Sequence, residues 1–402
     1  MRIRSITIFS PLDGDDPLGS LQRAGSIAGI ARERLREIGY ETQTIRLALA
    51  RQWAGGLTPG AFMDAVCKLD TLAPSVGIDY VSIGPLLTTA DGDQSLLEAC
   101  PEILAATQRI FASAFIANCE GDVFTGLLDK VATVVKRISR LPESGFNNLR
   151  FAALANCPPG IPFFPVAYSE GRRISFALAT ESAALALPAA RAAGNLTQAM
   201  QGLQSAIETH AAKIEPAMAH VQRETDAEFT GCDWSLAPHP DESCSLAAAL
   251  EALSGTQIGE WGTLAAVAAL TRAIRRAKAK RVGFSGVFLP VLEDRILAQR
   301  SAEKRIDTQS LLLYSAVCGA GLDTIPLPGD VASESIAALF ADVATLAVVL
   351  NKPLTVRVMP VPGLTAGART QFDFPYLVNS DTIALSGQAP GILRDNFVNL
   401  SS

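Results

Sequence analysis

Two stretches hold the residues best suited to chemistry. Glu293 and Asp294 close the phrase GFSGVFLPVLED (283–294), and Asp323 and Asp330 punctuate CGAGLDTIPLPGD (318–330). Each phrase runs from Gly through apolar residues and Pro to an acid, the pattern of a buried strand delivering its end to a site-forming loop. Carboxylates gathered there would repel by about 4 kcal/mol for a pair 4 Å apart at an effective dielectric of 20. A cation or a shared proton is therefore expected. Glu293, Asp323 and Asp330 are candidate oxygen ligands for Mg²⁺ or Ca²⁺, and Glu293, Asp294 and Asp323 are candidate acid–base groups once a neighbour raises one pKa. The competing reading uses Glu293 or Asp294 to cap a helix starting near Arg295, and Asp330 to cap one at Ser333.

Cys318 is a further catalytic candidate, set between a β-branched run and a glycine pair where close backbone approach leaves room for substrate. A reactive thiolate needs a positive or helix-N-terminal neighbour, and the sequence shows none nearby, so the bland alternative is a buried inert thiol. Candidate substrate contacts come from the Pro-rich loop ANCPPGIPFFPVAYSEG (155–171), with Phe164 and Tyr168, and from CDWSLAPHPDES (232–243), with Asp233 and Ser235. The aromatics could equally cover a core edge. Ser285 lies in G-F-S-G-V, neither a nucleophile elbow nor a phosphate loop, and reads as a backbone-binding hydroxyl. With three His, two of them on one long helix at a spacing unsuited to a single face, His-based zinc catalysis is not expected.

Positioning such groups requires regular elements, and the chain supplies an alternation of them. RIRSITIF reads as a strand, PLDGDDP as a turn, 18–38 as a helix ended by Gly39, and ETQTIRLAL as the next strand. The rhythm continues with helices at 61–72, 94–106 and 124–140 and strands at 80–87, 110–118, 151–155 and 174–180. A long helix, 195–228, should be kinked by Pro216; helices at 243–253 and 333–350 and a strand at TVRVMPVPG follow. The apolar runs 282–289 and 311–317 are expected as strands buried on both faces. About ten strand candidates interleaved with helices are the α/β signature of a barrel or a large mixed sheet. We expect one domain over 1–385 and a loosely ordered tail over 386–402.

Composition bounds the rest. Of 402 residues, 49% are hydrophobic and 18% charged, enough to bury a large core. A formal charge of -6 argues against a nucleic-acid surface; the one basic run, from Arg272 to Arg281, closes an Ala-rich helix whose dipole favours cations. Seven scattered cysteines, none in C-x-x-C spacing, argue against a disulfide or zinc framework. With no signal-peptide pattern and no membrane span, the expectation is a cytoplasmic protein, and its Ala- and Leu-rich helix faces suit a homodimer.

DWSLAP (233–238), GFSGVFLPVLED, CGAGLDTIPLPGD and the N-terminal IRSITIF occur in the order seen in a bacterial and archaeal family. The chain resembles, from residue 2 to about 380, domain of unknown function 711, also called uncharacterised protein family 0210 and labelled PFL-like. The resemblance implies a ten-stranded β/α barrel similar to pyruvate formate-lyase. It does not imply glycyl-radical chemistry, because the C-terminal LSGQAPGILRDNF lacks the R-V-x-G-[FYW] loop and Cys318 has no paired cysteine. Where relatives read G-T-H-G-T, this chain places Trp261 in IGEWGT, which points to a more apolar pocket. The family brings no settled activity. Two functions remain in view: an enzyme acting on a small molecule at the barrel mouth through its carboxylates, or a non-catalytic sensor or assembly subunit.

Overall fold

Apolar residues alternating with Arg and Thr begin the chain, and they form strand β1 (Arg2–Ser10) in the computed structural model. A helix, Pro17–Glu37, follows and stops before Gly39, whose φ of 86° reverses the chain into β2 (Thr42–Leu49). Then come β3 (Tyr80–Pro85), β4 (Ile110–Ala117), the two-residue β5 (Asp122–Val123) and β6 (Phe151–Ala155). The helices between them start from local signals; Thr58 caps Pro59–Leu72 with its hydroxyl, and Leu128–Ser139 lays its apolar stripe on the sheet. The second half holds β7 (Ser175–Glu181), the helix Leu196–Thr225 capped by Asn195, β8 (Glu228–Asp233), β9 (Gly321–Pro328), the helix Ser333–Val349 and β10 (Leu354–Val361). The described residues are all except 12–16, 52, 54, 55, 88, 90–93, 143, 171, 172, 401 and 402, and the side chain of Pro17. Most of the turn expected in PLDGDDP lies outside them.

The strands form one mixed sheet in the order β8-β7-β1-β2-β3-β4-β6-β10-β9. β1, β2, β3, β4 and β6 run parallel to one another, while β7 with β8, and β10 with β9, run the opposite way. Between the two edge strands lies the extended segment 281–290. It makes single bridges to the β8 side, Cys232 with Arg281 and Leu236 with Val287, and one to β9, Pro290 with Asp323. These contacts are isolated, so no continuous ladder closes the sheet into a barrel. The approach is nevertheless tight: a Cβ on Gly286 would stand 2.6 Å from Gly319 Cα, so both positions need glycine.

Two expectations change here. Segment 282–289, buried from Phe284 on, bends at Gly283 and Ser285 through φ of 70° and 40° and carries a single bridge, Leu236 with Val287. Residues 311–317, expected as a strand, lie largely in the helix Thr308–Ser315, which a capping box between Asp307 and Ser310 initiates. Leu311 and Tyr314 are buried while Leu313 is 53% exposed, which is helical rather than alternating spacing. Conversely, β8 and β9 are strands the sequence reading does not include: it ends the long helix at 228, starts a loop at 232 and reads 318–330 as a site-forming loop. β9 accommodates Pro326 and Pro328 because it is an edge strand, free of the donor demand of a central one. The expected loose tail docks through β11 (Val398–Asn399) on β5, and Thr125 Oγ1 donates to Asp395 O at 2.7 Å.

One large apolar core fills the space between sheet and helices. A second, smaller cluster, Phe9, Ala48, Phe164, Ala167 and Ala177, occupies the other face. Small residues on β2 and β7 make room there for the 156–170 loop, which Ser82 Oγ holds by donating to Ala167 O at 2.7 Å. The sheet thus carries the aromatic loop on the face where Arg4 and Arg46 also project. No helix among the described residues is long and apolar enough to cross a membrane.

Candidate functional site

A guanidinium in an otherwise apolar strand must find a partner, and three do so at one place. Arg4 of β1, Arg46 of β2 and Arg357 of β10 line a common cavity with Glu293. Glu293 arrives from a turn just beyond the 281–290 segment, where its N–H bonds Pro290 O at 3.1 Å and Val291 N bonds Asp323 O at 3.2 Å. Arg357 grips both acids: Nε and Nη2 donate to the two oxygens of Asp323 at 2.5 and 2.8 Å, and Nη2 also reaches Glu293 Oε1 at 2.9 Å. Its Nη1 donates to Leu149 O at 3.2 Å. Arg4 Nη2 takes the other oxygen of Glu293, Oε2, at 2.7 Å. Asp323 is 1% exposed and Glu293 and Arg357 are each 5% exposed.

Arg46 is different. Its Nε donates to Thr44 Oγ1 at 3.0 Å and its guanidinium lies 5.3 Å from the centre of the Phe164 ring, but among the described residues no carboxylate pairs with it. Burial, together with the charges of Arg4 and Arg357, pushes its pKa down to about 9. For Glu293, burial acts upward but Arg4 and Arg357 outweigh it and hold the carboxyl below its usual range. Asp323 goes the other way: burial, aided by the Glu293 charge, raises it despite Arg357. Three guanidinium groups and one carboxylate, Glu293, thus line a cavity of about 190 Å³, with Asp323 bound to Arg357 and Glu181 of β7 acting on Arg4; its walls are Tyr80, Phe111, Phe163 and Phe164, and Phe374, Tyr376 and Leu377 cover it. The roof is tied down by Asn379, which accepts from Phe372 N at 2.7 Å, and by Val378 N, which donates to Leu292 O at 2.6 Å.

A larger depression, about 900 Å³, lies near Ser10, Arg23 and Glu228. Its lining residues Pro11 and Arg173 adjoin, in sequence, the undescribed residues 12–16 and 171–172. The 190 Å³ cavity, where buried charges converge, is the better candidate.

The carboxylates expected to converge divide into two that do and two that do not. Glu293 and Asp323 meet, and Arg357 supplies the compensation that had been assigned to a cation. Asp294 caps two helices at once: Oδ1 accepts from Ser245 Oγ, Ile296 N and Leu297 N, and Oδ2 from Leu246 N and Ala247 N, at 2.6 to 3.1 Å. Asp330 is exposed beyond the end of β9 and does not cap the following helix, whose N-cap is Ala332. The metal set of Glu293, Asp323 and Asp330 is therefore not assembled, and among the described residues no group of three or more His, Cys, Asp or Glu could hold an ion.

Cys318 is buried outside the cavity, and its carbonyl accepts from Lys352 Nζ at 2.7 Å. Asp233, Ser235 and Ser285 form a lock between the two sequence motifs. Asp233 accepts from Phe284 N, Ser285 N and both the N–H and hydroxyl of Ser235, while Ser285 Oγ accepts from Trp234 N. Gly283 is required there, since at φ 70° a Cβ would stand 2.3 Å from Asp233 Oδ2. Phe164 lines the cavity; Tyr168 is buried and donates to Cys157 O at 2.9 Å. Trp261 is 97% exposed, in the turn before the helix Thr263–Arg276, and does not line the pocket as expected. Sequence reasoning missed the three arginines. Their signal was a lone Arg inside apolar runs, as in TIRLAL and TVRVMPV.

Known proteins share this chain almost from end to end. A UPF0210 protein of Pyrobaculum aerophilum is 35% identical over 307 residues, covering 73% of this chain and 67% of its own. Others from Desulforudis audaxviator and Clostridium beijerinckii are 30% and 28% identical, over 87% and 92% of this chain and 80% and 88% of theirs. Residues 1–379 match the profile described as Uncharacterised ACR (DUF711), and the chain belongs to that family.

Proposed function

We propose that the chain is an enzyme acting on a small organic anion held in the cavity between β1, β2, β10 and the 371–378 segment. The observation that carries this reading is the Arg46 guanidinium, which lines the cavity beside two other arginines and, among the described residues, has no carboxylate paired with it. A carboxylate ligand would supply the missing charge through paired N–H···O bonds, which guanidinium geometry favours. The aromatic walls suit an apolar body, and about 190 Å³ holds roughly six water molecules' worth of ligand. Glu293 lines the same cavity and in this reading serves as the proton-transferring group, beside cations able to stabilise developing negative charge. The alternative, a sensor using the same pocket without turnover, would return its ligand unchanged.

We also propose a ten-membered ring related to pyruvate formate-lyase, with segment 281–290 as the tenth member. Its support is the two opposed strand blocks and the single bridges to both edges.

The functional reading is tested by titrating benzoate and sulfate into the protein and into Arg46→Met by calorimetry. Binding by the parent chain and a loss of at least about tenfold in the variant are expected, since a hydrogen bond to a charged group contributes about 1.5–3 kcal/mol. Equal binding by both, or binding by neither, would remove the reading.

A further inference from the structure

Glu293 is held unevenly. Its Oε1 contacts Arg357, which is itself fixed by the Asp323 fork and by Leu149 O. Among the described residues its Oε2 is held by Arg4 alone, through one 2.7 Å bond, and the Arg4 side chain is 19% exposed while that of Glu293 is 6%. Arg4 also faces the like charge of Arg46 across the cavity wall, so an anion arriving between them relieves a repulsion. The groups acting on Glu293 are thus Arg4 from β1, Arg46 from β2, Arg357 from β10 and Asp323 from β9.

We propose, resting on the anion site above, that a carboxylate ligand engages Arg4 and Arg46 together, draws Arg4 off Glu293, and frees Oε2 to accept a proton from the ligand. The substrate class is a small carboxylic acid with a C–H bond next to a carbonyl or carboxylate carbon. In the step the C–H bond breaks, its proton forms an O–H bond with Oε2, and the electron pair moves into the carbonyl group as an enolate. Arg4 and Arg46 face that new charge, as a preorganised stabiliser should. Nothing is oxidised or reduced, and return of the proton to the same or the opposite face regenerates Glu293. Arg357 and Asp323 are positioning residues: they keep Oε1 still while Oε2 changes partner. Without a ligand, Arg4 masks the base; the substrate's own charge unmasks it.

The test has two arms. Benzoate, which fits the cavity but has no such C–H bond, is titrated in mildly acidic buffers of different ionisation enthalpy, so that the heat reports proton uptake. Uptake on binding is expected for the parent chain, with binding retained and uptake lost in Glu293→Gln. Where that variant does not fold, the parent chain decides: proton uptake that rises with benzoate occupancy is expected, and its absence overturns the inference. Uptake unchanged in Glu293→Gln, or Arg46-dependent binding with no uptake in the parent chain, overturns this inference and leaves the anion site standing. Loss of Arg46-dependent binding altogether removes both. In the second arm, pyruvate and phenylpyruvate are incubated in D₂O; protein-dependent deuterium exchange at the carbon next to the keto group, absent in Glu293→Gln, supports the proton transfer. Proton uptake with benzoate but no exchange on either keto acid overturns it.

Discussion

Replacing Arg357 by Leu should destabilise the fold by an amount that depends on pH in a defined way. The substitution removes the fork on Asp323, one contact to Glu293 and one to Leu149 O, leaving a carboxyl 1% exposed without its cation. Breaking a buried pair in this manner costs about 3–5 kcal/mol. An independent limit comes from protonation, because Asp323 can shed its charge instead. Holding a carboxyl of ordinary pKa near 3.9 protonated costs about 1.4 kcal/mol per pH unit, hence about 4 kcal/mol near pH 7 and about 1.5 kcal/mol near pH 5. The sign follows from the direction of the shift. Burial already raises Asp323 in the native chain, and removal of Arg357 raises it further. A carboxyl with a raised folded pKa contributes its stability below the unfolded value and loses it as pH rises through the folded one. Urea unfolding followed by circular dichroism at both pH values measures the difference. A loss under about 1 kcal/mol near pH 7, or one of equal size at both pH values, would refute the assignment of Arg357 as the buried compensating charge.

Asp294→Ala should cost about 2–4 kcal/mol, because two helices lose their caps together, and should leave benzoate affinity unchanged; a selective loss of affinity with normal stability would return Asp294 to the site. Arg46→Met should leave the urea midpoint unchanged or raise it by an amount worth about 1 kcal/mol, since it replaces an acid-free, partly desolvated cation by an apolar side chain. A marked fall would mean that Arg46 is structural. Gly319→Ala should lower stability by about 1–3 kcal/mol, because its Cβ would stand 2.9 Å from Gly286 Cα and 3.0 Å from Val287 O. An unchanged Tm would show that segment 281–290 yields without cost.

The alternation of strands and helices through the first half was legible because its strands are period-two or short apolar runs and its helices carry Thr58, Gly39 or similar punctuation. The run at 311–317 was not, since a short apolar stretch suits a buried strand and a buried helix equally; the Asp307–Ser310 capping box was the available discriminator. Prolines hid β9, whose edge position was invisible without the sheet order. At the site, Glu293 and Asp323 could be nominated from chain grammar, and their like charge called for compensation. That the compensation is Arg357 and Arg4 depends on side chains 34 to 289 residues from their acids in sequence arriving at one place from β10 and β1. Arg4, read with Arg2 as the polar side of an alternating strand, instead points its guanidinium at Glu293. Asp294, adjacent to Glu293, sits directly before the helix Arg295–Ala302, and the N-cap preference for Asp was the available signal that it caps while Glu293 does not.

The most direct test of the account is a crystal structure of the protein soaked with 4-bromobenzoate, with bromine located by anomalous scattering. The carboxylate is expected against Arg46 and Arg4, the bromine among Phe111, Phe164 and Phe374, and the separation between Arg4 and Glu293 Oε2 longer than the 2.7 Å of this structure. An empty cavity at saturating ligand, or bromine found only at surface sites with the Arg4–Glu293 contact intact, would contradict it.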